Sequence, residues 1–379
     1  MVHTPYPRIR ISGGPLERGR QYGELARPQI HAGREGYERT FHHSGISWER
    51  AVTYARRYAE PIAEVFPTVI AELEGIAAGS GLDFDDVLAM NCRTEIMWSR
   101  VNEDAGTRIP GECSSFGFAP ERTQSGDVLI GQNWDWLMHA FDSVILLEVD
   151  RTDGPSYVTV VEAGLLAKST LNSAGLGIAV NTLITSNDID THGLPFHVLL
   201  RVLADCRRVF DAVELLASHR RASSGHYLVG GADGAVLSIQ CEPGGIGGVH
   251  PIPPTRGLAT HTNHFVSRTR GDDLSPLVMP DSFVRMQRLR DLLDESEPAS
   301  IDSIHRALSD HTDHPGSICC HPDPRSDEAA RWASISSIIM DLNERELYLS
   351  EGNPCEVPRR RVGFGSLLQP SSETSGARS

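Results

Sequence analysis

Apolar positions recur at three- and four-residue spacing from Leu16 to about Phe41, from Trp48 to Ala78 and from Phe84 to Met97. This periodicity predicts a helical arm over the first hundred residues. Gly79, Gly81 and Asp83 interrupt it in the manner of a glycine C-terminus followed by an N-cap. From Thr107 the period changes: a loop, TRIPGE, leads into β-branched stretches at Cys113 to Ala119, Val128 to Trp134, Val144 to Val149, Tyr157 to Ala163 and Leu176 to Val180. Helical spacing returns at Phe196 to Cys206 and Val209 to His219. HYLVGG and AVLSIQCE then flank Asp233-Gly234, a two-residue hairpin signal. Amphipathic segments at Ser282 to Leu293 and Ile301 to Asp310 precede a last strand pair, ASISSIIMDL and ELYLSEG, joined through Asn343-Glu344. Blocks of helices, strands, helices and strands in this order predict antiparallel sheets with helices on their outer faces. No repeat or interdomain linker is visible, and the polar tail from Gln369 to Ser379 is predicted to be disordered.

A chain of 379 residues and 41.4 kDa has room for one large domain or two ordinary ones. Acidic residues outnumber basic ones by 50 − 35 = 15, a field that repels phosphate backbones, and no basic stripe interleaved with aromatics offsets it. Nucleic acid is therefore not an expected partner. No apolar run approaches the roughly 20 residues of a membrane helix, so no membrane is expected either. MVHTPYPRIRISGG lacks the apolar stretch of a secretory signal, which predicts a cytoplasmic location. GLGIAV holds only half of a dinucleotide fingerprint, and no cofactor is expected. The seven cysteines are an odd number and match no disulfide framework, so most are expected to be reduced and buried.

Cys113 differs from the other six in its setting. It stands where Pro110-Gly111-Glu112 runs into an extended segment, at the tip of a strand. Past a turn at Ser125-Gly126-Asp127, a simple hairpin brings Gly131-Gln132-Asn133-Trp134-Asp135-Trp136 back beside it, which places Asp135 near Cys113. Far downstream, THTNHF carries Asn263, an amide able to donate to an oxyanion. Taken singly, each is an ordinary residue: a small buried hydrophobe, a solvated turn carboxylate, a cap.

Together they resemble the acyl-CoA:6-aminopenicillanate (isopenicillin N) acyltransferases of peptidase family C45, relatives of the choloylglycine hydrolases among the N-terminal nucleophile hydrolases. The resemblance rests on GECSSF followed by GQNWDW, on EAG with LNSAGLGIAVNTL, on THTNHF, on DHPGSIC, and on SSIIMDL with GNPC. It implies an α+β fold, a four-layer αββα sandwich with an N-terminal helical arm. It also implies a precursor that cuts itself between Glu112 and Cys113 into an α-chain, 1–112, and a β-chain, 113–379. Cys113 is then both nucleophile and amino terminus, Asp135 orients the thiol and new amine, and Asn263 is the oxyanion-stabilising amide. Ser115 matches a supporting hydroxyl, and Arg285 falls near an arginine of the related hydrolases, with a helix-surface charge as its competing reading. A structural role is expected for Ser334, Ser336 and Ser337. Glutamate precedes the nucleophile where a fungal member of the family has glycine, which predicts slower cleavage because glycine tolerates strained backbone more easily.

The implied partners are a small-molecule acyl donor, N-acyl or aminoacyl, and an amine or water acceptor. Hydrolysis with water alone is one alternative, and an inactive binding protein on the same fold is another. His311, His314, Cys319, Cys320 and His321 crowd together as zinc ligands do, but HxxHxxxxCCH matches no common zinc spacing, so no metal is expected.

Overall fold

The strand-forming stretches of the chain pair into two sheets that face each other. The computed structural model describes residues 5–103, 112–189, 192–295 and 298–369. In chain order, β1 (Arg8–Ser12) leads into α1 (Pro15–Leu25), α2 (Arg27–His43), α3 (Trp48–Ala55), α4 (Ala59–Val65), α5 (Pro67–Ser80), α6 (Phe84–Asn91) and α7 (Arg93–Glu103). Next come β2 (Glu112–Phe118), β3 (Leu129–Leu137), β4 (Val144–Asp150), β5 (Tyr157–Glu162), β6 (Ser169–Asn172) and β7 (Leu176–Thr182). Helices α8 (Phe196–Leu203) and α9 (Val209–Ser218) precede β8 (Gly225–Gly231), β9 (Val236–Cys241), β10 (Val249–Ile252) and β11 (Leu258–His261). The chain closes with α10 (Ser275–Val278), α11 (Ser282–Glu295), α12 (Ile301–Leu308), β12 (Trp332–Asp341), β13 (Glu346–Ser350) and β14 (Arg360–Val362).

The larger sheet has the order β1-β4-β5-β6-β7-β8-β9-β10 and the smaller one β11-β2-β3-β12-β13-β14. β2 and β3 lie against β7 and β8, so the two sheets share one apolar interior. Outside the smaller sheet, α11 and α12 cover Phe116, Phe118 and Leu129 with Leu289, Leu293, Ile304 and Leu308. The arm and α9 cover the larger sheet. The result is an αββα sandwich. β3 is buried along its whole length because it is central in its sheet and covered on both faces, which explains why LIGQNWDWL shows no alternation.

The predicted helices of the arm are shorter than their periodicity suggests. Pro28 divides the first into α1 and α2, and Pro61 and Pro67 divide the second into α3, α4 and α5, since proline lacks a donor and restricts the residue before it. Gly79 does not end a helix; α5 runs on to Ser80, and Gly81, at φ +77°, is the left-handed residue that closes it. β1, β6, β10 and β14 had no counterpart in the sequence pattern, and β1 pairs with β4 in parallel, the one parallel pairing between two strands among the described residues. Most of the predicted loop from Thr107 and nearly all of the predicted disordered tail lie outside the described residues.

Gly79 has another function, which it shares with Gly75 on α5 and with Gly19 and Gly23 on α1. These glycines let the two helix backbones touch: a Cβ on Gly79 would stand 2.1 Å from the Arg20 carbonyl, and one on Gly19 2.3 Å from that of Glu72. Glu72 at the same contact is buried and held by Arg18 and Arg201, tying α1 and α5 to α8. Alanine in place of a helical glycine ordinarily adds about 1 kcal/mol of stability. Gly79→Ala is expected to remove about 2–4 kcal/mol instead, through overpacking, read as a lower midpoint in denaturant unfolding. An unchanged or higher midpoint would show that the helices are not in backbone contact.

Candidate active site

The hairpin expected past Ser125-Gly126-Asp127 is formed, with Gly126 supplying a φ of +77°. It sets Cys113 opposite Trp134 and Glu112 opposite Asp135. Side chains alternate along a strand, so Cys113 and Ser115 face the larger sheet while Ser114 faces the helices outside. Ser115 Oγ accordingly donates to Asn181 Oδ1 on β7 at 2.6 Å, and Ser114 Oγ accepts from Arg285 on α11 at 3.2 Å.

Three side chains from three parts of the chain converge on the backbone of Cys113. Its N–H donates to Asn263 Oδ1 at 2.8 Å, and its carbonyl accepts from Asn181 Nδ2 at 2.9 Å and from Arg285 Nη1 at 3.0 Å. Arg285 Nη2 also donates to Asn263 Oδ1 at 3.1 Å, and Arg285 Nε donates to Asp281 at 2.6 Å. Both amides are oriented by these partners, because only Oδ1 can accept from the Cys113 N–H and only Nδ2 can donate to its carbonyl. Asn263 Nδ2 rests on the Thr182 carbonyl at 3.0 Å, so in the continuous chain its donor end points to that strand end. The surface-charge reading of Arg285 is wrong: the side chain is 0% exposed, because α11 turns this face onto β2 and its charge lands between the Asn263 amide oxygen, the Cys113 carbonyl and the Asp281 carboxylate.

Asp135 is fully buried and receives the Ser334 hydroxyl at 2.5 Å on Oδ1, while its Oδ2 has no hydrogen-bond partner among the described residues. Burial pushes its carboxyl up to about 7 against the opposing pull of Arg285. The same cause pushes the Cys113 thiol up to about 11, opposed most strongly by the charge of Lys168. Lys168 is the one lysine in the sequence. It is buried with its ammonium 4.3 Å from the centre of the Trp134 ring, and burial with the nearby charge of Arg93 lowers it to about 8.

Asn181, Lys168 and His226, whose ring faces Asn181 Oδ1 at 2.7 Å, went unassigned in the sequence. Two signals were there to read: the polar Asn-Thr pair closing the apolar GLGIAV strand, and a solitary lysine among thirty-five basic residues. A cleft of about 300 Å³ lined by Pro280, Asp281, Gly316, Arg331 and Trp332 opens beside the Asp281–Arg285 pair.

The model of the acyl-coenzyme A:6-aminopenicillanic acid acyltransferase family matches residues 122–356, and the chain belongs to that family. An acyl-coenzyme A:6-aminopenicillanic-acid-acyltransferase, 40 kDa form, from Emericella nidulans is 25% identical over 351 residues, 91% of this chain and 92% of its own. Among solved structures, a conjugated bile acid hydrolase from Clostridium perfringens matches with a TM-score of 0.44 and 13% identity over 68% of this chain and 98% of its own. Penicillin V acylase from Agrobacterium tumefaciens matches with a TM-score of 0.42 and 11% identity over 69% of this chain and 89% of its own. By the family match the chain is of the acyltransferase kind. Among the described residues no helix is long and apolar enough to cross a membrane.

The raised Asp135 carboxyl carries a pH dependence. Below 3.8, its ordinary value, folded and unfolded chains both hold the proton and stability is unaffected. Between 3.8 and about 7 only the folded chain holds it, so stability falls as pH rises, and above about 7 the whole cost of the buried charge is present. Thermal unfolding between about pH 4 and 8 should therefore show the wild type losing up to roughly 4 kcal/mol relative to Asp135→Asn. Parallel curves for the two proteins would contradict this assignment.

Proposed function

We propose that Cys113 is a nucleophile that first cuts its own chain and then carries an acyl group. The single observation behind this reading is the convergence of Asn263, Asn181 and Arg285 on the backbone of Cys113, which fixes one thiol among seven. In the first reaction Sγ attacks the Glu112 carbonyl and the Cys113 nitrogen leaves, exchanging a peptide bond for a thioester. The leaving nitrogen takes up the thiol's proton and becomes a new α-amine; water then hydrolyses the thioester, freeing the Glu112 carboxylate and the thiol and leaving residues 1–112 and 113–379 as partner chains. Lys168 acts before that amine exists: its charge lowers the cost of the Cys113 thiolate. Afterwards the amine, near 7.7–8.0 in an unstructured peptide, is the base for the thiol. The unpartnered Asp135 Oδ2 holds that amine in place, and Asn263 Oδ1 keeps the grip on its nitrogen that it has in the continuous chain.

The second reaction takes an N-acyl or aminoacyl small molecule. Sγ attacks the acyl carbon, the amine of the donor leaves, and the thioester on Cys113 is resolved by an amine acceptor or by water. The donor end of Asn263 stabilises the oxyanion once it is released from Thr182; Ser115 orients Asn181, and Arg285 holds the carbonyl of the nucleophile still.

The test is trapping. Wild type incubated with a panel of N-acyl amino compounds and acyl thioesters should gain the acyl mass on Cys113, seen by mass spectrometry after acid quench, and lose it when amine is added. Asn263→Ala should lower the acylation rate by about 10²–10³, the usual effect of a lost oxyanion donor. Asn263→Asp keeps the acceptor and loses the donor, so it should be as slow as the alanine variant. Acyl mass on another residue, or full activity in Asn263→Asp, would sink the respective assignment.

A further inference from the structure

Away from Cys113, the turn between α12 and β12 and the segment after β13 bring four metal-ligating side chains together. His311, Cys319, His321 and Cys355 each present one ligand atom, and no two of these atoms are more than 4.8 Å apart. His321 Nε2 is the meeting point: His311 Nε2 stands 3.1 Å from it, Cys355 Sγ 3.4 Å and Cys319 Sγ 3.6 Å, and the two sulfurs are 3.5 Å from each other. One imidazole nitrogen has either one proton or one lone pair and cannot bond three partners. A cation at the centre accounts for all three approaches. Zinc bonds of about 2.3 Å to sulfur and 2.0–2.1 Å to nitrogen give tetrahedral edges of about 3.3 Å between nitrogens, 3.6 Å for mixed pairs and 3.8 Å between sulfurs. His311–His321, Cys355–His321 and Cys319–Cys355 are short of these by 0.2–0.3 Å, Cys319–His321 matches its value at 3.6 Å, and the two edges from His311 to the sulfurs lie within 4.8 Å.

We propose that His311, Cys319, His321 and Cys355 bind one structural Zn²⁺. The ligand set of two sulfurs and two imidazoles suits zinc over the hard, oxygen-seeking cations, and four protein ligands leave no position open for chemistry. Binding releases one proton from each thiol to solvent, changes no oxidation state, and makes a neutral Zn²⁺–dithiolate centre, which suits a half-buried place. The surroundings match what metal ligands require. Asn353 Nδ2 points at Cys319 Sγ from 3.7 Å while donating to the Cys320 carbonyl at 2.6 Å, and Glu356 lies 3.8 Å from Nδ1 of His321, the nitrogen turned away from the centre.

The spacing HxxHxxxxCCH leaves out the fourth member of this cluster. Cys355 comes from beyond β13, in GNPC, and replaces Cys320, whose sulfur turns to the carbonyl of His321. Cys320 instead links the cluster to the candidate active site: its N–H donates to Ser334 Oγ, the hydroxyl that holds Asp135. Zinc would thus pin the turn that carries Cys320 against the start of β12.

The test needs no substrate. Full-length protein without a metal-binding tag, grown with zinc, should contain about one zinc per chain by elemental mass spectrometry. Cys355→Ser and His311→Ala alter exposed ligands and are expected to keep the fold by circular dichroism while holding less than about a fifth of that zinc. Co²⁺ added to protein stripped by chelator should give the visible bands of a tetrahedral sulfur-ligated site in wild type and not in Cys355→Ser. Wild type without zinc that also fails to take up Co²⁺ would overturn the proposal, as would a Cys319–Cys355 disulfide in freshly purified protein or zinc retained in full by both variants.

Discussion

The grip on the Cys113 backbone is the constraint around which the fold is arranged. One carbonyl takes two donors, one of them a buried guanidinium, and the adjacent N–H finds an amide oxygen. Each partner belongs to a different layer: Asn181 ends β7 in the facing sheet, Arg285 sits on the helix outside, and Asn263 follows β11 at the edge of the same sheet. Buried hydrogen bonds that involve a charge are stronger than neutral ones and costly to leave half made. The three layers must therefore meet in a single register.

Burial then sets the chemistry. A thiol pushed up to about 11 is almost wholly protonated at neutral pH, and the neighbouring carboxyl, near 7, is only partly ionised. Such a cysteine is a weak nucleophile until a base is provided. In the proposed reaction the cut provides one, because it turns the Cys113 nitrogen, already held by Asn263, from a peptide amide into an amine. In this proposal the continuous chain and the cut chain differ by one bond, and that bond separates a slow thiol from a fast one.

Much of this was legible in the residues, and the illegible parts have physical reasons. The β8–β9 hairpin declared itself through Asp233-Gly234, and the β2–β3 pairing through its turn, because turn chemistry is local. Helix boundaries in the arm were misread where hydrophobic period outweighed proline. Gly79 read as a stop because a close helix contact cannot be seen from one helix alone. Arg285 looked like a surface charge for the same reason, since periodicity gives a face but not what covers it. Asn181 sat inside LNSAGLGIAVNTL with no partner visible from the sequence, Lys168 stood outside every motif, and Cys355 lies a whole hairpin away from the residues it meets.

Everything in the functional account depends on whether Cys113 becomes an amino terminus. Intact mass spectrometry of the purified wild type beside Cys113→Ala measures this directly. The account predicts two polypeptides in the wild type, 1–112 and 113–379, and an uncut chain of 41.4 kDa in the variant. A wild type that remains whole under conditions where it turns over an acyl donor, or a Cys113→Ala variant that is cut at the same bond, would contradict it.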